Sequence, residues 1–235
     1  LLAARSDGPL HIHVAEQPRE VREVSEWLGA RPVEWLLENA EVGPDWCLIH
    51  ATHMTARETE ALARSRAVVG LCPITEANLG DGPFNGPAYL AEGGAFGIGS
   101  DSNVRIALGE ELRTLEYGQR LRDLARNVML PAPGAVGEAL YTAAARGGAQ
   151  ALGRGSGEIA PGQLANLVAI DSEDPTLCSL PEAHLLSGLV FAAGDRVVTD
   201  LWSAGRHRVR EGRHVARAEI AAAFRAAMAE LTARV

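Results

Sequence analysis

Trp46 to Leu71 reads WCLIHATHMTARETEALARSRAVVGL, and this stretch sets the fold. WCLIH (Trp46–His50) is short, apolar and β-prone, and AVVGL (Ala67–Leu71) has the same character. Between them, Ala56–Ser65 carries a helical pattern. Thr55, with Glu58 three residues on, has the form of a capping box, in which hydroxyl and carboxylate each satisfy a free backbone N–H of the first turn. A strand, a capped helix and a second apolar strand make one β–α–β unit, whose strands run parallel under a cover of helices.

Working outward, the unit recurs. Leu10–Ala15 (LHIHVA) is a β-prone run after a Gly-Pro turn. Arg19–Leu28 follows with Val21, Val24 and Leu28 at helical spacing, then Val33–Glu38, just after Pro32 at a favoured first helical position. Cys72–Pro87, rich in Gly, Pro and Asn, reads as a long irregular loop of the kind that carries function. Ala88–Glu92 reads as a short helix, and Ala95–Gly99 (AFGIG) as a fourth strand running into Ser100-Asp101. Leu108–Val128 and Val136–Leu152 read as long helices. Beyond Gly153, Ile159–Asp171 and Leu189–His214 read as short strands broken by Gly turns, a small all-β unit, before an Ala-rich helix at Glu219–Val235. The expected division is 1–153, 154–216 and 217–235.

A closed eight-stranded β/α barrel takes about 250 residues, and four strand–helix units in roughly 130 residues amount to half of one. The chain opens on Leu1, not Met, and LLAARSDGPL reads as the tail of a helix turning into the first strand. Both observations lead to the expectation that an N-terminal half precedes this chain in the natural protein.

Composition narrows the function. A net charge of −8 in 235 residues argues against a nucleic-acid surface, which needs clustered basic side chains. It offers no bulk attraction to an acidic substrate either, so a carboxylate would have to be met by local arginines. Three scattered cysteines (Cys47, Cys72 and Cys178) form no CxxC pair and suggest a reducing, cytoplasmic setting. No apolar run reaches the ~18 residues of a membrane span.

Polar residues gather where strands end. The first strand carries His11 and His13 and is followed by Glu16; the second ends at His50; the fourth runs into Asp101. In a β/α barrel the C-terminal strand ends form the active site. His13 and Asp101 offer an imidazole nitrogen and a carboxylate oxygen suited to a divalent ion such as zinc. Glu16, just past the strand end, can take a proton from an activated water and pass it to a departing nitrogen. His50 can hydrogen-bond the water or the developing negative charge. His11 and His13 alternate onto one strand face, so an HxH ligand pair on a first barrel strand is an alternative reading. His53 reads as structural, and His184, His207 and His214 as surface residues.

These residues resemble a known family. HVAE (His13–Glu16), LIHATHMT (Leu48–Thr55), GIGSDSN (Gly97–Asn103) and GEIAPGQLANLVAID (Gly157–Asp171) resemble, in order, the fifth-, sixth- and eighth-strand motifs and the C-terminal return segment of the deaminase branch of the amidohydrolase superfamily. Three further segments resemble the formimidoylglutamate deiminases: HIHVAEQPREV (His11–Val21), CPITEANLGDGPFNG (Cys72–Gly86) and SDSNVRIALGEELRTLEYGQRL (Ser100–Leu121).

The resemblance implies an α/β fold comprising the C-terminal half of a metal-dependent (β/α)8 barrel plus part of a small β-sandwich domain. It implies one zinc ion with His13 and Asp101 as ligands, Glu16 as proton shuttle, His50 beside the catalytic water, and Asp101 also accepting a proton. Gln17, Asn103 and Arg105 become candidate substrate contacts. The implied reaction converts N-formimino-L-glutamate and water to N-formyl-L-glutamate and ammonia, in a cytoplasmic homodimer. It also implies a further HxH pair on a strand this sequence lacks, so the isolated chain is expected to bind zinc poorly and to be inactive. A nucleobase or related ring deaminase and a catalytically inert chain are the competing readings. Aromatic residues are only 5% of the chain, and Cys72–Gly86 offers one, Phe84, for stacking on a ring.

Overall fold

The computed structural model describes residues 8–130 and 133–234. The reading of the first residues as a helix tail therefore lies outside the described residues.

Four parallel strands form one sheet in the order β1 (Leu10–Val14), β2 (Trp46–His50), β3 (Val68–Leu71), β4 (Ala95–Ile98). The register pairs Val14 with His50 and Leu71 with Ile98, so the C-terminal ends of neighbouring strands lie side by side. Helices α1 (Pro18–Leu28) and α2 (Pro32–Asn39) connect β1 to β2, and α3 (Ala56–Ser65) connects β2 to β3. The capping box forms as expected: the Thr55 hydroxyl accepts from the Glu58 N–H, and the Glu58 carboxylate accepts from the Thr55 N–H. Leu48, Val69, Leu71, Phe96 and Leu112 are fully buried in the core behind the sheet.

Cys72–Pro87 is not irregular throughout. Pro73–Leu79 is a helix, α4, and Gly86–Ala91 another, α5. Pro73 opens α4, where its missing N–H costs nothing, and Gly80 ends it with φ 74, so the residues read as breakers are its boundaries. Helix α6 (Leu108–Asp123) stops short of the expected Val128, because Leu124 turns left-handed with φ 52. The Glu116 carboxylate then accepts from the Val128 and Met129 N–H groups and folds the following segment back.

Helix α7 (Val136–Ala151) packs on β4 at backbone distance. A Cβ on Gly147 would fall 2.0 Å from the Phe96 carbonyl oxygen, so only glycine permits this approach.

The C-terminal unit is an antiparallel sheet in the order β5 (Leu167–Ile170), β6 (Val198–Ser203), β7 (Arg206–Arg210), β8 (Arg213–His214). The stretch expected to begin its strands at Leu189 instead continues helical turns. A 3-10 turn at Glu182–His184 leads into α8 (Leu185–Gly188), a π turn (Leu189–Ala193) and a further 3-10 turn (Gly194–Val197). Leu189, Val190 and Val197 are buried, and a short apolar run of this kind fits a buried helix as well as a strand. Likewise only Leu167–Ile170 of the expected Ile159–Asp171 run pairs as a strand. Helix α9 (Arg217–Thr232) follows. Among the described residues no helix is long and apolar enough to cross a membrane.

Candidate active site

The three strands predicted to carry chemistry all end on non-glycine residues with positive φ: Ala15 after β1, His50 and Ala51 at the end of β2, and Asp101 beyond β4. Such backbone is costly for residues with a Cβ and persists only where surrounding bonds fix it. Here the bonds are visible. The Glu20 carboxylate of α1 accepts from the Ala15 and Glu16 N–H groups at 2.7 and 2.8 Å, and the Ala51 N–H donates to the Val14 carbonyl at 3.0 Å.

These turns bring the predicted residues together around His50, which is wholly buried. His13 lies edge-on to it, with ring centroids 5.0 Å apart. The His50 Nε2 atom is 3.6 Å from Glu16 Oε1 and 4.0 Å from Asp101 Oδ2. His13, Glu16 and His50 each present one ligand atom, all within 4.8 Å of one another. His50 Nε2 has no hydrogen-bond partner, an orphaned buried nitrogen facing two carboxylates and an imidazole. This donor set fits a divalent cation of the zinc type.

On the far side of the ring, His50 Nδ1 lies 3.1 Å from Glu76 Oε1 of α4. The same oxygen accepts the Cys72 N–H, so Glu76 is an acceptor and Nδ1–H the donor. That bond leaves Nε2 as the nitrogen directed into the cluster. Burial pushes the imidazole pKa down. The Glu76 hydrogen bond and the charges of Glu16, Glu76 and Asp101 outweigh it, and the net direction is up. For Glu16, burial raises the carboxyl pKa and the neighbouring Asp81 carboxyl adds to it, against the pull of His50 and His13.

Gln17 Nε2 donates to Asp81 Oδ1 at 2.9 Å. Asn103 Oδ1 accepts from the Ser100 hydroxyl at 2.7 Å on an exposed turn. Arg105 is exposed, and its guanidinium forms a two-pronged pair with Glu110. His11 lies apart from the His13, Glu16 and His50 cluster, its Nε2 donating to the Ala151 carbonyl at 2.7 Å. Two polar residues escaped the sequence reading, Glu76 and Asp81, both buried. Both lie in the segment read as a loop, where the Pro73 start and the Gly80 stop were the available signals.

A parallel β/α sheet with imidazoles and carboxylates converging at its C-terminal strand ends is a candidate metal site of the hydrolase type. The sequence profile of the amidohydrolase family matches residues 1–208, and the chain belongs to that family. It is 50% identical over 232 residues to a formimidoylglutamate deiminase from Pseudomonas aeruginosa, covering 98% of this chain and 51% of that protein. It is 32% identical to a 5'-deoxyadenosine deaminase from Methanothermobacter thermautotrophicus, over 90% of this chain and 48% of that one. Among solved structures, an amidohydrolase from Brucella melitensis superposes with a TM-score of 0.91 at 48% identity, covering 96% of this chain and 50% of the other. A zinc-bound adenosine deaminase from Xanthomonas campestris superposes with a TM-score of 0.80 at 27% identity, over 95% of this chain and 51% of its own. The chain spans about half the length of the curated relatives it matches.

Proposed function

We propose that the chain contributes to the hydrolytic deimination of N-formimino-L-glutamate to N-formyl-L-glutamate and ammonia. The observation that carries this reading is His50, tied at Nδ1 to Glu76 and turned at Nε2 toward Glu16 and Asp101, in a chain half identical to a formimidoylglutamate deiminase. The parallel sheet is then half of a (β/α)8 barrel over residues 1–153. Residues 154–216 form part of a β-sandwich domain and 217–235 a terminal helix. Four parallel strands with two edges support that view, because a barrel leaves none.

His13 and Asp101 would hold one divalent ion, zinc in this reading, with its remaining ligands supplied by the other half of the barrel. When bound, the ion would supply Lewis acidity that lowers the pKa of water at the site. The chain's own residues do the rest. Glu16 removes a proton from the attacking water and returns it to the departing nitrogen. Burial holds its pKa above the ordinary carboxylate value, the direction that favours carrying a proton. His50 Nε2 accepts a hydrogen bond from the water when the ring is neutral, and donates to the developing oxyanion when it is charged. Asn103 and Gln17 would order the substrate end of the site. Arg105 would meet a substrate carboxylate only after leaving Glu110. The reading includes a homodimer and a cytoplasmic location, tested by sedimentation and cell fractionation.

A ring deaminase is the second reading, favoured by relatives that act on deoxyadenosine. Against it, Phe84 is buried edge-on against Tyr89, with ring centroids 5.4 Å apart, and offers no face to a base. A catalytically inert chain is the third reading, and metal analysis of the purified protein tests it.

The deciding experiment measures ammonia release from N-formimino-L-glutamate by the zinc-loaded natural gene product, with guanine and 5'-deoxyadenosine in parallel. Release from the linear amidine alone is the expected result. Release only from the rings transfers the assignment to the second reading.

A further inference from the structure

The loop after α4 holds a carboxylate that the reaction just described does not use. Asp81 stands between Gly80 and Gly82, with φ 74 and 96, and this reversal turns its side chain inward. It is 5% exposed. Its Oδ1 accepts from Gln17 Nε2 at 2.9 Å, which fixes the carboxylate plane. Its Oδ2 is buried and accepts from no N–H or hydroxyl group of the described residues; the polar group beside it is the Glu16 carboxyl. The carboxyl adjoins Glu16, the group that meets the departing nitrogen. A buried carboxylate oxygen without a donor is a costly arrangement, and it persists where a ligand completes it.

We propose that Asp81 is the cation-recognition residue of this site, its free Oδ2 accepting an N–H of a positively charged amidine, so that the site selects amidinium substrates over neutral amides and ring amines. The inference rests on the deimination reading and names the feature of the substrate that the chain recognises.

The chemistry fits. An amidinium spreads its charge over two nitrogens, and each N–H is a charge-assisted donor to a carboxylate. As water adds to the carbon and Glu16 takes its proton, the π electrons return to nitrogen as a lone pair; the proton that Glu16 then delivers places the positive charge on the nitrogen about to leave. The oxygen–carbon bond forms, the carbon–nitrogen bond breaks, and the bonding pair departs with that nitrogen. Overall, R–NH–CH=NH and water give R–NH–CH=O and ammonia, with both protons of the water ending on the ammonia. Glu16 handles the proton in transit, while Asp81 faces the cation. A carboxylate in that place therefore strengthens its hold as the reaction proceeds, which favours the transition state over the bound substrate.

The test uses the zinc-loaded natural gene product and its Asp81→Asn variant. The amide keeps an oxygen for the Gln17 bond while removing the charge. Binding of formamidinium and of its neutral counterpart formamide is measured by calorimetry. Wild type is expected to bind formamidinium about tenfold or more tightly than formamide, and the variant to lose that preference with formamide binding unchanged. The variant's kcat for formimino-L-glutamate is expected to fall about 100-fold while its zinc content stays at the wild-type level. A wild-type protein that binds both probes equally, or a variant that keeps the preference, overturns the inference. The binding arm needs no turnover. Asp81-dependent capture of formamidinium without release of ammonia from formimino-L-glutamate would support the inference and sink the named substrate; turnover with an indifferent D81N would do the reverse.

Discussion

The chain builds the same pair twice, a histidine beside a carboxylate, in two settings. At the end of the parallel sheet, His50 lies 3.1 Å from Glu76, wholly buried, with Glu16, Asp101 and His13 around its other face. In the antiparallel sheet, His207 Nε2 lies 2.7 Å from Asp200, closer than the buried pair, and the ring stacks on Trp202. Both partners of this second pair keep about a quarter or more of their surface in water. Parallel strands bring several chain ends to one place, whereas hairpins send successive ends to opposite edges. Thus the shorter hydrogen bond lies on the surface of β6 and β7, and the longer one belongs to the candidate site. Burial and convergence separate them, and the distance between the two atoms does not.

That comparison breaks if Glu16 is dispensable. Glu16→Ala is expected to lower ammonia release by about a thousandfold, as loss of a proton shuttle does. Activity near the wild-type rate would remove the parallel-sheet cluster from the chemistry. A more direct contrast pairs Glu76→Ala with Asp200→Ala. The first is expected to cost about 10- to 100-fold in kcat, because His50 loses the partner that fixes its tautomer. The second should leave kcat unchanged and cost at most about 1 kcal/mol of stability. Nitrogen chemical shifts of His50 should show Nδ1 protonated in wild type and a tautomer mixture in E76A. An unchanged shift would leave Glu76 without a positioning role.

A pH measurement sharpens the same contrast through Glu111, which is 2% exposed on α6. Burial lifts its carboxyl pKa from the ordinary 4.5 to about 7, against the Ile74 N–H bond and with help from the Glu76 and Glu110 charges. The folded chain therefore holds this proton at pH values where the unfolded chain has lost it. The contribution is fully present below pH 4.5 and falls away as pH rises to about 7. Glu111→Gln should flatten that slope and leave the protein roughly 2 kcal/mol more stable above pH 7, read from urea midpoints. Identical slopes in variant and wild type would rule out the proton. The smallest effect concerns the helix between the two buried strands. Thr55→Ala should cost about 1 kcal/mol in thermal unfolding and leave kcat untouched.

The sequence was most legible where the signals were local. β2 and α3 were read to their exact bounds, because WCLIH is apolar and Thr55 and Glu58 announce the cap. His13, Glu16, His50 and Asp101 were legible as a set, since strand ends in a parallel sheet share an edge. Glu76 and Asp81 were hidden because glycine and proline density in Cys72–Pro87 obscured α4, and a carboxylate on an unrecognised helix looks solvated. The helical turns at Glu182–Val197 were misjudged for another reason: periodicity cannot tell a short buried helix from a short buried strand. Pairings across the chain, such as Gln17 with Asp81 or Arg105 with Glu110, depend on loop geometry that no spacing encodes.

The backbone contact between α7 and β4 carries a consequence for how this protein tolerates change. Phe96 lies five residues before Asp101 on the same strand and its exit, and its carbonyl is the atom a methyl group at residue 147 would strike. A single added carbon there would have to move the helix or the strand, and moving the strand moves Asp101 with it. In a saturation screen for function, Gly147 should therefore rank with Glu16 and His50 among the least replaceable positions. It would do so without touching a substrate, a metal or a proton, and no reader of active-site residues alone would think to protect it.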